Sequence, residues 1–371
     1  MQLKKWTGVL LLSACAFTTK AQVSGGQRTM EFLRLSNSPR VTALGGINVA
    51  NTAQDISFAL QNPSLIRPGL HNQLGLNYNA FYSGISLANL QYAYHAPKIA
   101  TSFALGVQYL NYGSLSQTDV LGNDLGDFKA NEYAITLGAS RQYGNRWRYG
   151  AALKWANSKL YDKAASALLA DVGVHYFDTA NLVNVGIVAK NMGFMARKYN
   201  KANPAEPLPF DLQIGVAKKF KHLPLTLMAT VHHLYEWDIR YDNPADMQTS
   251  AVLGSDSTAK TKSYFADKLF RHFIFGAEIN LGKRLDVSVG YNHLHRGELA
   301  IKDKTGLAGF SFGAAINLNK FRVQYARSYY HIAGAMNEFG LIMTLNKLFD
   351  VNAKTNAKMH FNESYTDWDI D

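Results

Sequence analysis

This chain of 371 residues has little of three things. Its only cysteine is Cys15. Charged residues make up 18%, below the roughly 25% of an average soluble protein. No stretch approaches the roughly 18 consecutive apolar residues that a membrane helix needs. The last absence excludes a helical membrane protein. It leaves a membrane β-barrel open, because barrel strands alternate apolar and polar residues and average out near neutral. The mean hydropathy of −0.15 fits that average. Apolar residues at 47% exclude a disordered chain, and Tyr and Phe are abundant at 20 each.

Residues 1–21 have the form of a secretory signal peptide. Lys4 and Lys5 form a basic start, Val9 to Phe17 a short apolar core, and Ala21 a cleavage point. Cleavage there leaves no cysteine, so a disulfide, a thiol nucleophile and a cysteine metal site are excluded. It also lowers the formal charge of +11 by three, through Lys4, Lys5 and Lys20. Leu12-Ser13-Ala14-Cys15 offers a second reading, a lipoprotein-processing box that would anchor the chain through Cys15.

From residue 70 to 349 the dominant period is two. Leu74, Leu76, Tyr78 and Ala80 alternate with polar or small neighbours, as do Phe103, Leu105, Val107 and Tyr109. Phe273, Phe275, Ala277, Ile279 and Leu281 form an unbroken run. The alternation predicts about fourteen strands, most of about 10–13 residues, near the 9–11 that a tilted strand needs to cross a bilayer. Connections alternate in length. Tight ones fall at Ala96-Pro97-Lys98, Tyr143-Gly144-Asn145, Asp178-Thr179-Ala180, Lys221-His222-Leu223, Gly282-Lys283-Arg284 and Asn319-Lys320. Long ones are expected at 113–127, 158–166, 195–209, 236–270 and 296–307. The expected fold is all-β, a transmembrane outer-membrane barrel of about fourteen antiparallel strands. An even strand count would put both termini in the periplasm and the long loops outside the cell.

The two strand faces differ. One carries Leu, Val, Ile and rings such as Trp147, Tyr149, Trp155 and Tyr291. The other carries Gly150, Gly173, Gly186, Gly215, Gly276, Gly290, Gly313 and Gly340, with Lys154, Asp171, His175, Lys190 and Glu278. Glycine weakens a strand, so one in nearly every strand implies that something approaches the backbone closely. Residues 22–69 supply the candidate. They mix turn and short-helix signals with too few apolar residues for a core of their own, including Gly45-Gly46 and Gln61-Asn62-Pro63. They are expected to form an N-terminal hatch or plug inside the lumen. Asp171, His175, Lys190 and Glu278 are expected to line that lumen. Residues 350–371 are expected to be a polar periplasmic tail.

No motif argues for an enzyme. Gly309-Phe310-Ser311-Phe312-Gly313 matches a nucleophile pattern, but that chemistry needs a strand-to-helix turn. Here the alternation runs on to Leu318, which places Ser311 inward in mid-strand. His293 and His295 would share a strand face, and His232 and His233 would point to opposite faces. Neither pair completes a metal site, so no metal and no cofactor are expected. Nucleic acid is not an expected partner, since the basic residues are scattered. An anionic lipid or lipopolysaccharide surface suits the charge better. The long loop holds Glu236, Trp237, Asp238, Tyr241, Tyr264 and Phe265, a candidate partner-binding set.

Further residues carry a resemblance. These are Phe32-Leu33-x-Leu35-x-Asn37-Ser38-x-Arg40-x-x-Ala43-Leu44-Gly45-Gly46, the turn Gln61-Asn62-Pro63-Ser64-Leu65 and His71-Asn72-Gln73-Leu74. Later come Tyr109-x-Asn111-Tyr112-Gly113, Glu206-Pro207-Leu208-Pro209-Phe210 and His232-His233-Leu234-x-x-Trp237-Asp238. With the barrel pattern, they resemble the FadL-like outer-membrane barrels, and more narrowly the PorQ family of the type IX secretion system of Bacteroidetes. The resemblance implies a non-enzymatic barrel that anchors a surface partner of the PorZ type, with the PorU–PorV pair in the same attachment complex. The alternative it carries is a FadL-like transporter of hydrophobic or small molecules.

Overall fold

The computed structural model describes residues 28–240, 265–299, 306–331 and 334–349. The segments read as signal peptide and tail lie outside these residues. Fourteen strands close into one antiparallel barrel, each paired with its neighbours in sequence and β1 with β14. They are β1 (Gln73–Ala80), β2 (Ser86–Ala96), β3 (Thr101–Thr118), β4 (Asp124–Tyr143), β5 (Trp147–Leu160), β6 (Lys163–Asp178) and β7 (Val183–Arg197). Then follow β8 (Asp211–Lys219), β9 (Leu225–Val231), β10 (Phe273–Leu281), β11 (Leu285–Asn292), β12 (Phe310–Asn317), β13 (Phe321–His331) and β14 (Gly334–Thr344). Closure gives every strand a neighbour on both sides; the parts of β3 beyond Asn111 and of β7 beyond Lys190 rise past the pairing with β2 and β8.

The wall is inverted relative to a soluble protein. Leu105, Leu137 and Leu153 lie side by side across β3, β4 and β5, and all three are exposed. Inside, Asn77, Asn89, Gln91, Gln213 and Gln324 are buried. An apolar belt of this extent is unstable against water and stable against lipid.

Strand length departs from the expectation. Strands β3 to β7 have 18, 20, 14, 16 and 15 residues, whereas β8 to β12 have 9, 7, 9, 8 and 8. Two expected long loops are therefore mostly strand. Within 113–127, Ser114 pairs with Lys129, Leu115 with Phe128 and Ser116 with Asp127. Within 158–166, Lys159 pairs with Ala164 around a turn in which Tyr161 has φ +55°. These extensions are mostly polar, with scattered apolar residues such as Leu115, Leu125 and Phe128. They lack the apolar period that marks a half-buried strand, so their alternation is silent.

The segment before β1 fills the lumen as one helical turn, α1 (Pro39–Ala43), and shorter turns at Glu31–Arg34, Ile56–Leu60, Pro63–Leu65 and Pro68–Leu70. It starts at the long-loop rim, where the Thr29 N–H donates to the Pro207 carbonyl at 3.1 Å. It ends at the opposite rim, where β1 begins. The first and last described residues therefore stand at opposite rims, because this segment crosses the lumen before the first strand. An even strand count places only β1 and β14 on a common side. Two helices cap the long-loop rim, α2 (Phe265–Arg271) and α3 (His293–Leu299).

Candidate functional site: the hatch seat and the long-loop rim

Helix α1 opens on Ser38, whose hydroxyl accepts from the Val41 N–H at 3.3 Å, with Pro39 following. It closes on Gly45 and Gly46, at φ +97° and +93°, which only glycine adopts without strain. The Gly46 N–H returns to the Val41 carbonyl at 3.0 Å. This short turn presents Arg40 to the wall. The guanidinium makes a bidentate pair with Glu278 on β10, Nη2 to Oε1 at 2.5 Å and Nε to Oε2 at 2.8 Å. Asp55 of the hatch stands 3.9 Å from Arg40 and accepts from Gln324 on β13 at 2.6 Å. Thr42 donates to Glu338 on β14. Ser311 donates to the Ala43 carbonyl at 3.1 Å, so its hydroxyl serves the hatch.

On the other side of the lumen the fit is steric. The Asn62 side chain accepts from the Ser64 N–H at 3.0 Å and donates to the Val49 carbonyl at 3.0 Å. Gln61 donates to Asn37 at 2.7 Å. These bonds fix Pro63 against β5. A Cβ placed on Gly150 would lie 2.5 Å from the Pro63 carbonyl carbon and oxygen. Added side chains at Gly173 and Gly186 would collide with Asn62 and with the Val49 carbonyl. The fit is as close beside Glu278, where one at Gly290 on β11 would meet the backbone of Leu44 and Gly45. The inward glycines are the hatch seat.

The expected lumen residues are all buried. Glu278 meets Arg40 as above. Asp171 pairs with Lys154 at 2.6 Å and accepts the Asn191 N–H at 2.8 Å. The His175 ring stacks on Phe177 with centroids 6.2 Å apart. A register shift in β6–β7 and φ +58° at Asn191 turn both Lys190 and Asn191 inward. Asn191 escaped the sequence reading because a bulge inverts parity. Where Leu33, Leu35 and Leu60 of the hatch face Lys154 and Lys190, a void of about 30 Å³ remains, room for one water. A larger apolar recess, about 490 Å³, lies where Ala229 and Ala277 sit among Val216, Leu227, Phe275 and Tyr291.

At the long-loop rim the predicted partner set divides. Glu236 is buried and pairs with Arg28 of the hatch at 3.0 Å, which removes it from an exposed binding surface. Asp238 pairs with Lys268 at 2.5 Å. Trp237 and Phe265 are exposed, their ring centroids 5.5 Å apart. Tyr241 and Tyr264 lie outside the described residues.

The histidines also differ from expectation. His293 and His295 lie on helix α3 and not on a strand, because β11 ends at Asn292. His293 faces Tyr291 and Asp267, at 2.8 and 3.4 Å. Desolvation under the rim pulls His295 down to about 4, although part of its surface stays accessible. His232 and His233 do not point to opposite faces. The strand ends at Val231 and His233 takes φ +55°, which brings the two Nδ1 atoms 2.5 Å apart. Burial drives both rings down to about 3, helped at His232 by His233 and at His233 by Arg34 and Arg28. Asp211, the first residue of β8, completes a buried three-residue cluster that the strand parity had concealed.

No family model matches this sequence, and no curated protein sequence does. Solved structures do resemble it. The Pseudomonas putida toluene transporter TodX is 13% identical over 83% of this chain and 97% of its own, with a TM-score of 0.48. The CymD monoaromatic hydrocarbon channel is 12% identical over 84% and 97%, with a TM-score of 0.46. A Pseudomonas aeruginosa FadL homologue is 11% identical over 83% and 97%, with a TM-score of 0.43.

Proposed function

We propose that this chain is an integral outer-membrane barrel that holds a surface partner at its long-loop rim and performs no chemistry of its own. The observation that carries this reading is the filled lumen. The hatch is seated on the glycines, paired through Arg40 and Glu278, and beside Lys154 and Lys190 leaves a void with room for about one water. The long-loop rim faces outward and the tight turns face the periplasm. Trp237 and Phe265 form the contact, as exposed rings do at partner interfaces. The sequence resemblance supplies the partner class: a PorZ-like protein of the type IX attachment complex, with PorU and PorV alongside, working at the lipopolysaccharide surface.

A second reading is transport of hydrophobic or small molecules, as the toluene transporter TodX and the monoaromatic hydrocarbon channel CymD carry out. What favours it in this chain is the lumen void, where apolar hatch residues meet two buried lysines. One variant separates the two. The Ala50 Cβ lies 3.5 Å from a Cβ built on Gly215, within disulfide range. Oxidised Ala50→Cys/Gly215→Cys locks hatch to wall. An anchoring barrel keeps its surface partners in pull-downs from mild detergent, and reductant changes nothing. A transporter loses uptake of a hydrophobic probe on oxidation and regains it on reduction. Purification of the barrel alone from its native membrane would overturn the anchoring role.

A further inference from the structure

We propose that Asp211, His232 and His233 form a site for a divalent transition metal ion, with zinc the ion that best fits the donors. One ligand atom from each residue lies within 4.8 Å of the others, and all three residues are buried. The two Nδ1 atoms are 2.5 Å apart, and Asp211 Oδ2 is 3.9 Å from His233 Nδ1. Tetrahedral zinc with bonds of about 2.0–2.1 Å holds its donors roughly 3.3 Å apart. The observed separations bracket that value, so binding the ion moves the two Nδ1 atoms apart and the Asp211 carboxylate closer. Two imidazoles and one carboxylate select zinc, copper or nickel over magnesium or calcium. The fourth position is left to water.

The surroundings hold these donors in place. Asp211 accepts from the His233 N–H on one oxygen and from Gln213 Nε2 on the other, both at 2.7 Å. His272 Nδ1 lies 2.8 Å from the His232 carbonyl and fixes the backbone there. The left-handed conformation of His233 is uncommon for a residue other than glycine and is what turns its ring inward. Of the nearby cations, Arg28 is matched by Glu236 at 3.0 Å and Arg34 by Glu31 at 3.5 Å, and Lys190 stands opposite Asp211 in the β7–β8 ladder. Without a metal, one ring's Nδ1–H donates to the other's Nδ1; with the ion bound, that proton moves to the same ring's Nε2, so both rings ligate as neutral imidazoles. The ion would clasp the start of β8 to the exit of β9, at the base of the rim segment that carries Trp237.

The test uses the full chain, purified in detergent without a polyhistidine tag, stripped with a chelator and reloaded with Zn²⁺. Elemental analysis after desalting should find one zinc per chain. Asp211→Ala and His232→Ala should each weaken retention at least about 100-fold, and Gln213→Leu about 10-fold. His71→Ala, at the opposite rim, should retain zinc like the parent. Heat-modifiable migration on gels checks that each variant is folded. Substitution with Co²⁺ should give the visible bands of a tetrahedral nitrogen and oxygen site in the parent. That spectrum decides the matter if the alanine variants do not fold. A parent that binds no zinc, retention unchanged in His232→Ala, or an octahedral cobalt spectrum overturns the proposal.

Discussion

The barrel has a tall wall, β3 to β7, and a short wall, β8 to β12. The tall wall continues past the apolar belt as polar hairpins, helped by a bulge where Gly113 has φ +75°. The short wall stops near the belt and hands the chain to helices α2 and α3 and the His232–His233 turn. The hatch meets the two walls by different physics. On the short-wall side it is held by charge, through Arg40 and Glu278, as well as by fit against Gly290. On the tall side it is held by shape, through Pro63 and Asn62 against Gly150 and Gly173. There Gln108 donates to the Phe32 carbonyl and Arg148 to the Ile66 carbonyl. A plug gripped by fit on both flanks and by charge on one has two separate ways to fail.

The largest effect is expected from shape. Gly150→Val drives a side chain into the Pro63 carbonyl, which cannot rotate away. The barrel should still fold, with its hatch displaced, and planar bilayers should show a steady conductance that the parent lacks. A closed variant would mean that the steric seat is not what shuts the lumen. Next comes charge. Arg40→Met strands Glu278 in the lumen and should cost about 3–5 kcal/mol in denaturant titrations in detergent. The double variant Arg40→Met/Glu278→Met should recover to within about 1 kcal/mol of the parent. If the double variant is as weak as the single, the pair itself is strongly attractive. On the tall wall, Lys154→Met should cost less, about 1–3 kcal/mol, because Asp171 keeps the Asn191 N–H.

The smallest effect is expected from pH. His295 sits at about 4 in the folded protein against an ordinary 6.5. The folded state keeps this ring neutral while the unfolded chain takes up a proton. The associated stability is therefore complete above about pH 6.5 and is lost progressively toward pH 4. Limited proteolysis should show helix α3 loosening over that range, with the β3–β4 hairpin unaffected. His295→Leu should flatten the profile. Equal sensitivity at both rims would erase the distinction between the walls.

Much of this was legible in the sequence for one reason, a strict period of two. It located the strands, the tight turns and the inward glycines, and Gly150, Gly173, Gly186 and Gly290 do stand against hatch backbone or side chains. Parity fails wherever the chain leaves the ladder. After Val231 it misplaced His232 and His233, and after Asn292 it treated the helical residues His293 and His295 as strand. A bulge hid Asn191. The upper halves of β3 and β4 carry no apolar alternation because both faces meet water. Arg40 and Glu278 are 238 positions apart in the chain, and no local pattern marks such a pair.

The path of the hatch has a consequence for how the molecule is made. The segment runs from one mouth of the barrel to the other before β1 begins, and the barrel closes only when β1 meets β14. Every strand must therefore be in hand before the last seam forms. Threading a preformed ring would drag Arg40 and Asp55 past a finished, tightly fitted wall. Closing the wall around a segment already lying along its inner face avoids that step. The plug is then a template for assembly before it is a stopper. Its loss should be felt first as slow or misregistered closure during biogenesis, and only afterwards as a leak.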